Sequence, residues 1–181
     1  LLLNDVFQKK GLKSICAPNI STHIDDNSLN LINEVLSGNR IDYFFKYFNS
    51  SSYPSKITGI LKGGSLISIT WLLGSKNAVD FNNAVVYFDK LGKNFVSTYN
   101  NLVQLKNSPY FNPKLIVVRR FPPKQKSVLK KIFTELFPDI LVVYDLKSSS
   151  NAKKIVFPIG EKITFDLSKK ILTFSFQDLK K

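Results

Sequence analysis

The chain has no methionine, one cysteine and one histidine in 181 residues. A single cysteine excludes an intrachain disulfide, and with it a disulfide-stapled secreted scaffold. One cysteine and one histidine cannot fill the four positions of an ordinary zinc site. Acid is scarce as well: Asp and Glu total 13 against 26 Lys and Arg, a net charge of +13. Only Glu34, Glu135 and Glu161 are glutamates. A coding bias toward Lys, Asn, Ile and Phe would raise Glu together with Lys, so it does not explain the deficit. Long apolar runs are missing too. The longest, Leu66 to Leu73, is broken by Ser68 and Thr70 and falls far short of the ~20 residues of a membrane helix. Neither a Gly-rich dinucleotide fingerprint nor a phosphate loop ending in Gly-Lys-Ser/Thr is present. His23 stands before Asp25-Asp26 without the placed partner a general base needs. Asp25, Asp26, Asp139 and Asp145 are scattered carboxylates, poor material for a metal site. These absences lead to the expectation of a non-enzyme with no catalytic residue, no metal and no cofactor.

What is present is enough apolar residue, 44% of the chain, to bury a core. The length favours one domain over 1–181. Leu2, Leu3, Val6 and Phe7 have helical spacing, and Leu12 to Ala17 reads as a short strand. Asp26 or Asn27 caps a helix with the face Leu29, Ile32, Val35 and Leu36, closed by Gly38. Ile41 to Phe48 fits strand or helix. Gly63-Gly64 predicts a turn carrying Lys62. Phe81, Val85, Phe88, Leu91, Phe95, Tyr99 and Leu102 step by three or four, which predicts a long helix or helical hairpin over 77–107. Gly92 costs that helix about 1 kcal/mol, or splits it. Leu115 to Val118 and Ile140 to Tyr144 are continuous apolar runs joined by a helix with the face Val128, Leu129, Ile132, Phe133 and Leu136. That unit predicts two parallel strands buried on both faces. Residues 163–176 fit strand and helix equally. Taken together, the expected fold is a Rossmann-like three-layer α/β domain with a mostly parallel sheet and a protruding helical hairpin.

The excess of positive charge calls for a polyanionic partner, nucleic acid first. Arg119 and Arg120 follow a strand directly, where ligands of open parallel sheets bind. Lys124 and Lys126 stand at a helix start, against the helix dipole, a placement that an anion would offset. With Lys62, Lys153 and Lys154 they form the candidate RNA-phosphate contacts. The aromatic run Tyr43 to Phe48 reads as core rather than as a stacking platform, and Cys16 as a small core residue.

Asn112-Pro113-Lys114, the strand after it, Phe137-Pro138-Asp139, the strand ending in Asp145, and Phe157-Pro158-Ile159-Gly160 together resemble the second protein family of the small ribosomal subunit. Lys62-Gly63-Gly64-Ser65-Leu66 is similar to that family's Gly-Gly motif, although its preceding Trp is missing and Lys114 stands where the family has Asp. The resemblance implies a structural constituent of the small ribosomal subunit that starts inside the family's fold. Its partners would be ribosomal RNA and neighbouring ribosomal proteins, with no membrane and no small-molecule substrate. Its place would be a mitochondrial ribosome. The alternatives are a nucleic-acid-processing enzyme on a Rossmann-like sheet and an accessory subunit of an organellar membrane complex.

Overall fold

A computed structural model of the chain describes residues 14–17, 24–48, 53–92, 94–149 and 155–174. In chain order the elements are β1 (Ser14–Cys16), α1 (Asp26–Leu36), β2 (Ile41–Phe48), β3 (Lys56–Ser65), α2 (Leu66–Trp71), β4 (Val85–Lys90) and α3 (Phe95–Lys106). There follow β5 (Leu115–Val118), a 3-10 turn (Pro123–Gln125), α4 (Lys126–Leu136), β6 (Leu141–Ser148), β7 (Phe157–Ile159), β8 (Lys162–Asp166) and β9 (Ile171–Phe174). Seven strands close into a barrel in the order β2-β6-β5-β4-β3-β8-β9, and β1 pairs with β7 as a separate ribbon. Strands β3, β4, β5 and β6 run parallel to one another. Strands β2, β8 and β9 close the barrel with antiparallel pairings.

Burial on both faces explains the composition of the parallel strands. Val85, Tyr87, Leu115, Val117, Leu141 and Val143 point into the barrel, where they meet Phe157, Phe165 and Phe174. Their alternates Val86, Phe88, Ile116, Val118, Val142 and Tyr144 pack beneath Leu102, Leu105, Leu129 and Phe133 of α3 and α4. A strand covered on both sides has no polar face, so its sequence shows no alternation. In β2, by contrast, Ile41, Tyr43 and Phe45 are buried and Phe44 is exposed, an alternation that fits strand. The Tyr43 hydroxyl accepts from the Val156 N–H at 3.0 Å and donates to the Val156 carbonyl at 2.8 Å, tying the segment before β7 to the barrel.

The structure corrects the expected architecture in three places. First, 163–174 is the β8–β9 hairpin, and it bridges β3 to β2. That bridge turns the expected open sheet into a closed mixed barrel without free edges. Second, the expected hairpin over 77–107 is a strand followed by a helix. Val85–Lys90 form β4, and α3 begins after Asn94, whose side chain accepts from the Ser97 N–H. Gly92 lies in the connection, with the Thr98 hydroxyl 2.8 Å from where a Cβ would stand. Third, Lys62 and the two glycines are strand residues of β3 rather than a turn. Gly63 is required by close approach, because a Cβ there would lie 2.0 Å from the Tyr87 carbonyl oxygen.

Helix α1 is capped by Asp25, one residue earlier than expected, and it buries Ser28, Leu31 and Val35 while Leu29 and Leu36 face out. The parallel β5–α4–β6 unit is present as the continuous apolar runs implied. The expected first helix at residues 2–7 lies outside the described residues.

Candidate functional site

Register across the parallel strands sets the site. Phe88 is level with Val118, and Val118 with Tyr144. The next residues on β4 and β5 are therefore Asp89 and Arg119, side by side at the carboxyl ends of those strands, while Asp145 follows Tyr144 within β6 and leaves this row at a bulge. Ligands of parallel α/β sheets bind at this edge.

Arg119 Nη1 donates to Asp89 Oδ1 at 2.7 Å. The Tyr87 hydroxyl, rising from the barrel interior, donates to the same oxygen at 3.1 Å. Burial, with the Asp89 charge beside it, pushes the Tyr87 phenol well above its ordinary range, so it remains a donor. Burial works against the Arg119 charge, but the hydrogen bond to Asp89 and the charges of the groups around it together outweigh burial and raise the guanidinium. Cys16 sits beside this pair. It is opposite Phe157 in the β1–β7 ribbon, and the Phe157 ring lies 4.7 Å from that of Tyr87. Burial and then the Asp89 charge raise the Cys16 thiol, which disfavours the thiolate a nucleophile needs.

Asp145 owes its position to a bulge. Phe44 pairs with Lys147 and Lys46 with Tyr144, so Asp145 and Leu146 together oppose Phe45. Asp145 takes a left-handed φ of 53°, which aspartate tolerates better than most residues. Its carboxylate accepts from Lys126 Nζ at 2.7 Å. That ammonium also lies 4.9 Å from the Tyr144 ring centre, and Lys130 Nζ approaches the same ring at 4.5 Å. The hydrogen bond to Asp145 raises the Lys126 ammonium, the first among its causes.

Of the residues expected to contact phosphate, Arg119 and Lys126 come to this edge, but each faces a carboxylate of the chain itself. Asp145 is thus the counter-charge that the lysine at the start of α4 calls for, and no phosphate is required there. Arg120 and Lys124 are exposed near them. Lys62 is set apart on β3, donating to the Asp80 carbonyl at 2.7 Å. Lys153 and Lys154 lie outside the described residues. Sequence reasoning missed Asp89 altogether and treated Asp145 as a stray carboxylate. The signal was available: both occur where a buried parallel strand meets the same edge as Arg119. Chemically the two parallel strands and α4 offer two carboxylate–cation pairs, Asp89–Arg119 and Asp145–Lys126, and the partly exposed first pair is suited to holding a ligand with a donor beside an anionic group.

The family model described as LD-carboxypeptidase C-terminal domain matches residues 58–165, a stretch that includes Asp89, Arg119, Lys126 and Asp145. No curated protein matches the sequence at a significant level. Among solved structures, the MccF-like protein from Bacillus anthracis aligns at 15% identity with a TM-score of 0.73, over 96% of this chain and 64% of that one. Muramoyltetrapeptide carboxypeptidase from Oxalobacter formigenes aligns at 16% identity with a TM-score of 0.72, over 95% and 63%. A mutant of the microcin C7 self-immunity protein MccF, in complex with adenosine monophosphate, aligns at 17% identity with a TM-score of 0.74, over 97% and 64%. The chain therefore spans just under two thirds of the length of these neighbours, and the likeness is one of fold.

These findings overturn the ribosomal resemblance, and the RNA and ribosomal-protein partners fall with it. The mitochondrial-ribosome placement loses the resemblance it rested on. Neither alternative, a nucleic-acid-processing enzyme or a membrane-complex subunit, fits the matched family. The expectation of a non-enzyme is corrected by a carboxypeptidase family, and the exclusion of small-molecule substrates by neighbours solved with a nucleotide or an aminoacyl sulfamoyl nucleoside. With the model covering more than half of its residues, the chain belongs to the LD-carboxypeptidase C-terminal domain family.

Proposed function

We propose that this chain is the barrel domain of a carboxypeptidase-type enzyme, holding the charged end of a small peptide or aminoacyl substrate at the carboxyl ends of β4 and β5. The observation that carries this reading is the Asp89–Arg119 pair, held at 2.7 Å at the strand ends and inside the matched segment. Acyl-bond cleavage needs a nucleophile, a base and a stabiliser of developing charge. The described residues contribute the placement of charge: a carboxylate that accepts from an ammonium or an imidazole, and a guanidinium that donates to a carboxylate. His23 is the single histidine of the sequence, so imidazole chemistry run by this chain alone depends on it. The net charge of +13 suits this function as well as it suited RNA. A basic protein draws in anionic ligands of any size, and a substrate ending in a free carboxylate is one.

The test uses the purified protein with a muramoyl tetrapeptide and, separately, aspartyl sulfamoyl adenosine, the kinds of compound named for its structural neighbours. Mass spectrometry follows release of the terminal amino acid, and calorimetry follows binding. The expected result is binding of at least one compound, weakened by Asp89→Ala. Absence of both binding and turnover for both compounds would overturn the reading.

A further inference from the structure

We infer that Arg119 is the specificity-determining residue of this site, taking the terminal carboxylate of a ligand whose adjacent ammonium or amide N–H is taken by Asp89. The inference rests on the carboxypeptidase-type reading and deepens it. Arg119 uses one nitrogen, Nη1, toward Asp89 Oδ1. A guanidinium carries five N–H donors in one plane. No other acceptor meets the Arg119 guanidinium among the described residues, and the side chain is 35% exposed, open to a ligand at that edge. Asp89 is in the same condition. Its Oδ1 receives both Arg119 and the Tyr87 hydroxyl, and no partner meets Oδ2 among the described residues. The pair is thus anchored from inside and has donors and an acceptor to spare on the outside. Asp145 does not compete for Arg119, since Lys126 engages it at 2.7 Å.

The sign pattern selects the ligand class. A phosphate dianion approaching Arg119 meets the Asp89 carboxylate beside it, and like charges repel. An amino-acid terminus places its carboxylate and its nitrogen one carbon apart, so each meets the opposite charge. The fork geometry of arginine matches a carboxylate at two points, which a lysine ammonium cannot do.

The experiment is calorimetric titration of the full chain with a muramoyl tetrapeptide as the free acid and as its C-terminal amide. The parent protein, Arg119→Lys and Arg119→Ala are compared, and far-ultraviolet circular dichroism confirms that each is folded. The parent is expected to prefer the acid by about tenfold. Arg119→Ala is expected to bring the acid down to the level of the amide, and Arg119→Lys to lose most of the preference, because one ammonium cannot meet both carboxylate oxygens as the fork does. Arg119→Lys keeps the charge and a partner for Asp89, so its result stands even if Arg119→Ala is poorly folded. Equal affinity of the parent for acid and amide, or a preference undiminished in Arg119→Lys, overturns this inference and leaves the broader reading standing. Failure of the parent to bind either form removes both.

Discussion

Replacing Gly63 with alanine tests the junction on which barrel and site both depend. The φ of Gly63 is +152°, and a Cβ built there stands 2.0 Å from the Tyr87 carbonyl oxygen and 2.7 Å from the Tyr87 nitrogen. The nearer contact is roughly 1.5 Å inside the separation of about 3.5 Å at which carbon contacts become favourable. The opposing atoms are backbone, so no rotamer change relieves them. Nor can the strands part freely, because β3 is bonded to β8 on its other edge and β4 to β5. A substitution of this kind lies at the upper end of overpacking costs, at least about 3 kcal/mol. For a domain of this size that lowers Tm by roughly 6–12 °C. Tyr87 also donates to Asp89, so ligand affinity should fall with stability. Thermal and urea unfolding followed by circular dichroism measure the first effect and calorimetry the second. Gly74→Ala is the control: its φ is +80° and nothing lies within 4 Å of the added carbon, so only the dihedral strain of about 1 kcal/mol applies. A Gly63→Ala protein that melts within about 2 °C of its parent would refute the close approach of β3 and β4.

The Cys16 thiol, raised by burial, should react with a disulfide reagent near neutral pH much more slowly than a free cysteine, and at the free rate in urea; equal rates would place it at the surface. Burial raises the Tyr43 and Tyr87 phenols, so their contribution to stability is complete below the ordinary tyrosine pKa of about 10 and is lost as pH rises through the folded values. Tm should therefore fall above that pH, with a late rise in tyrosinate absorbance that coincides with unfolding; full ionisation of every tyrosine in the folded state would contradict their burial. Asp145→Val should destabilise more than Asp145→Asn, by about 1–2 kcal/mol in urea unfolding, because a β-branched residue does not accept the φ of 53°; equal costs would remove the left-handed turn.

How much was legible in the sequence depends on the kind of signal each segment carried. The unit from Leu115 to Tyr144 was readable because its two apolar runs are bounded by prolines and joined by a helix of clear period. The stretch from Phe81 to Leu102 misled for the reason that makes β4 a good strand. A run buried on both faces has no alternation, so its larger residues fall into a helical spacing by chance. Residues 163–174 carried two periods at once, and only their pairing partners, β3 and β2, decide between them. The Gly-Gly motif that supported the ribosomal resemblance lies inside the segment matched by the carboxypeptidase model, where contact with Tyr87 accounts for Gly63. For the site, the cations were found and the acids were not. Arg119 meets a carboxylate 30 residues away and Lys126 one 19 residues away. Such partners are adjacent only once the strands are in register. Net charge, in turn, gives the sign of a partner and not its class.

The bulge in β6 shows how the fold makes room for this site. Val143 and Leu146 both belong to the barrel interior, although they are three residues apart. Strict alternation would put Asp145, not Leu146, inside with Val143. A carboxylate in that apolar interior would lack a partner, at a cost of several kcal/mol. Inserting one residue and turning Asp145 through the left-handed region gives the interior position to leucine and sends the carboxylate to Lys126. The local strain is of order 1 kcal/mol, well below the penalty it avoids. Closure of the barrel is what holds the bulge in place, since β2 fixes the register on both sides of it. The antiparallel strands, which contribute no residue to either charged pair, therefore determine where the carboxylate of one of them points.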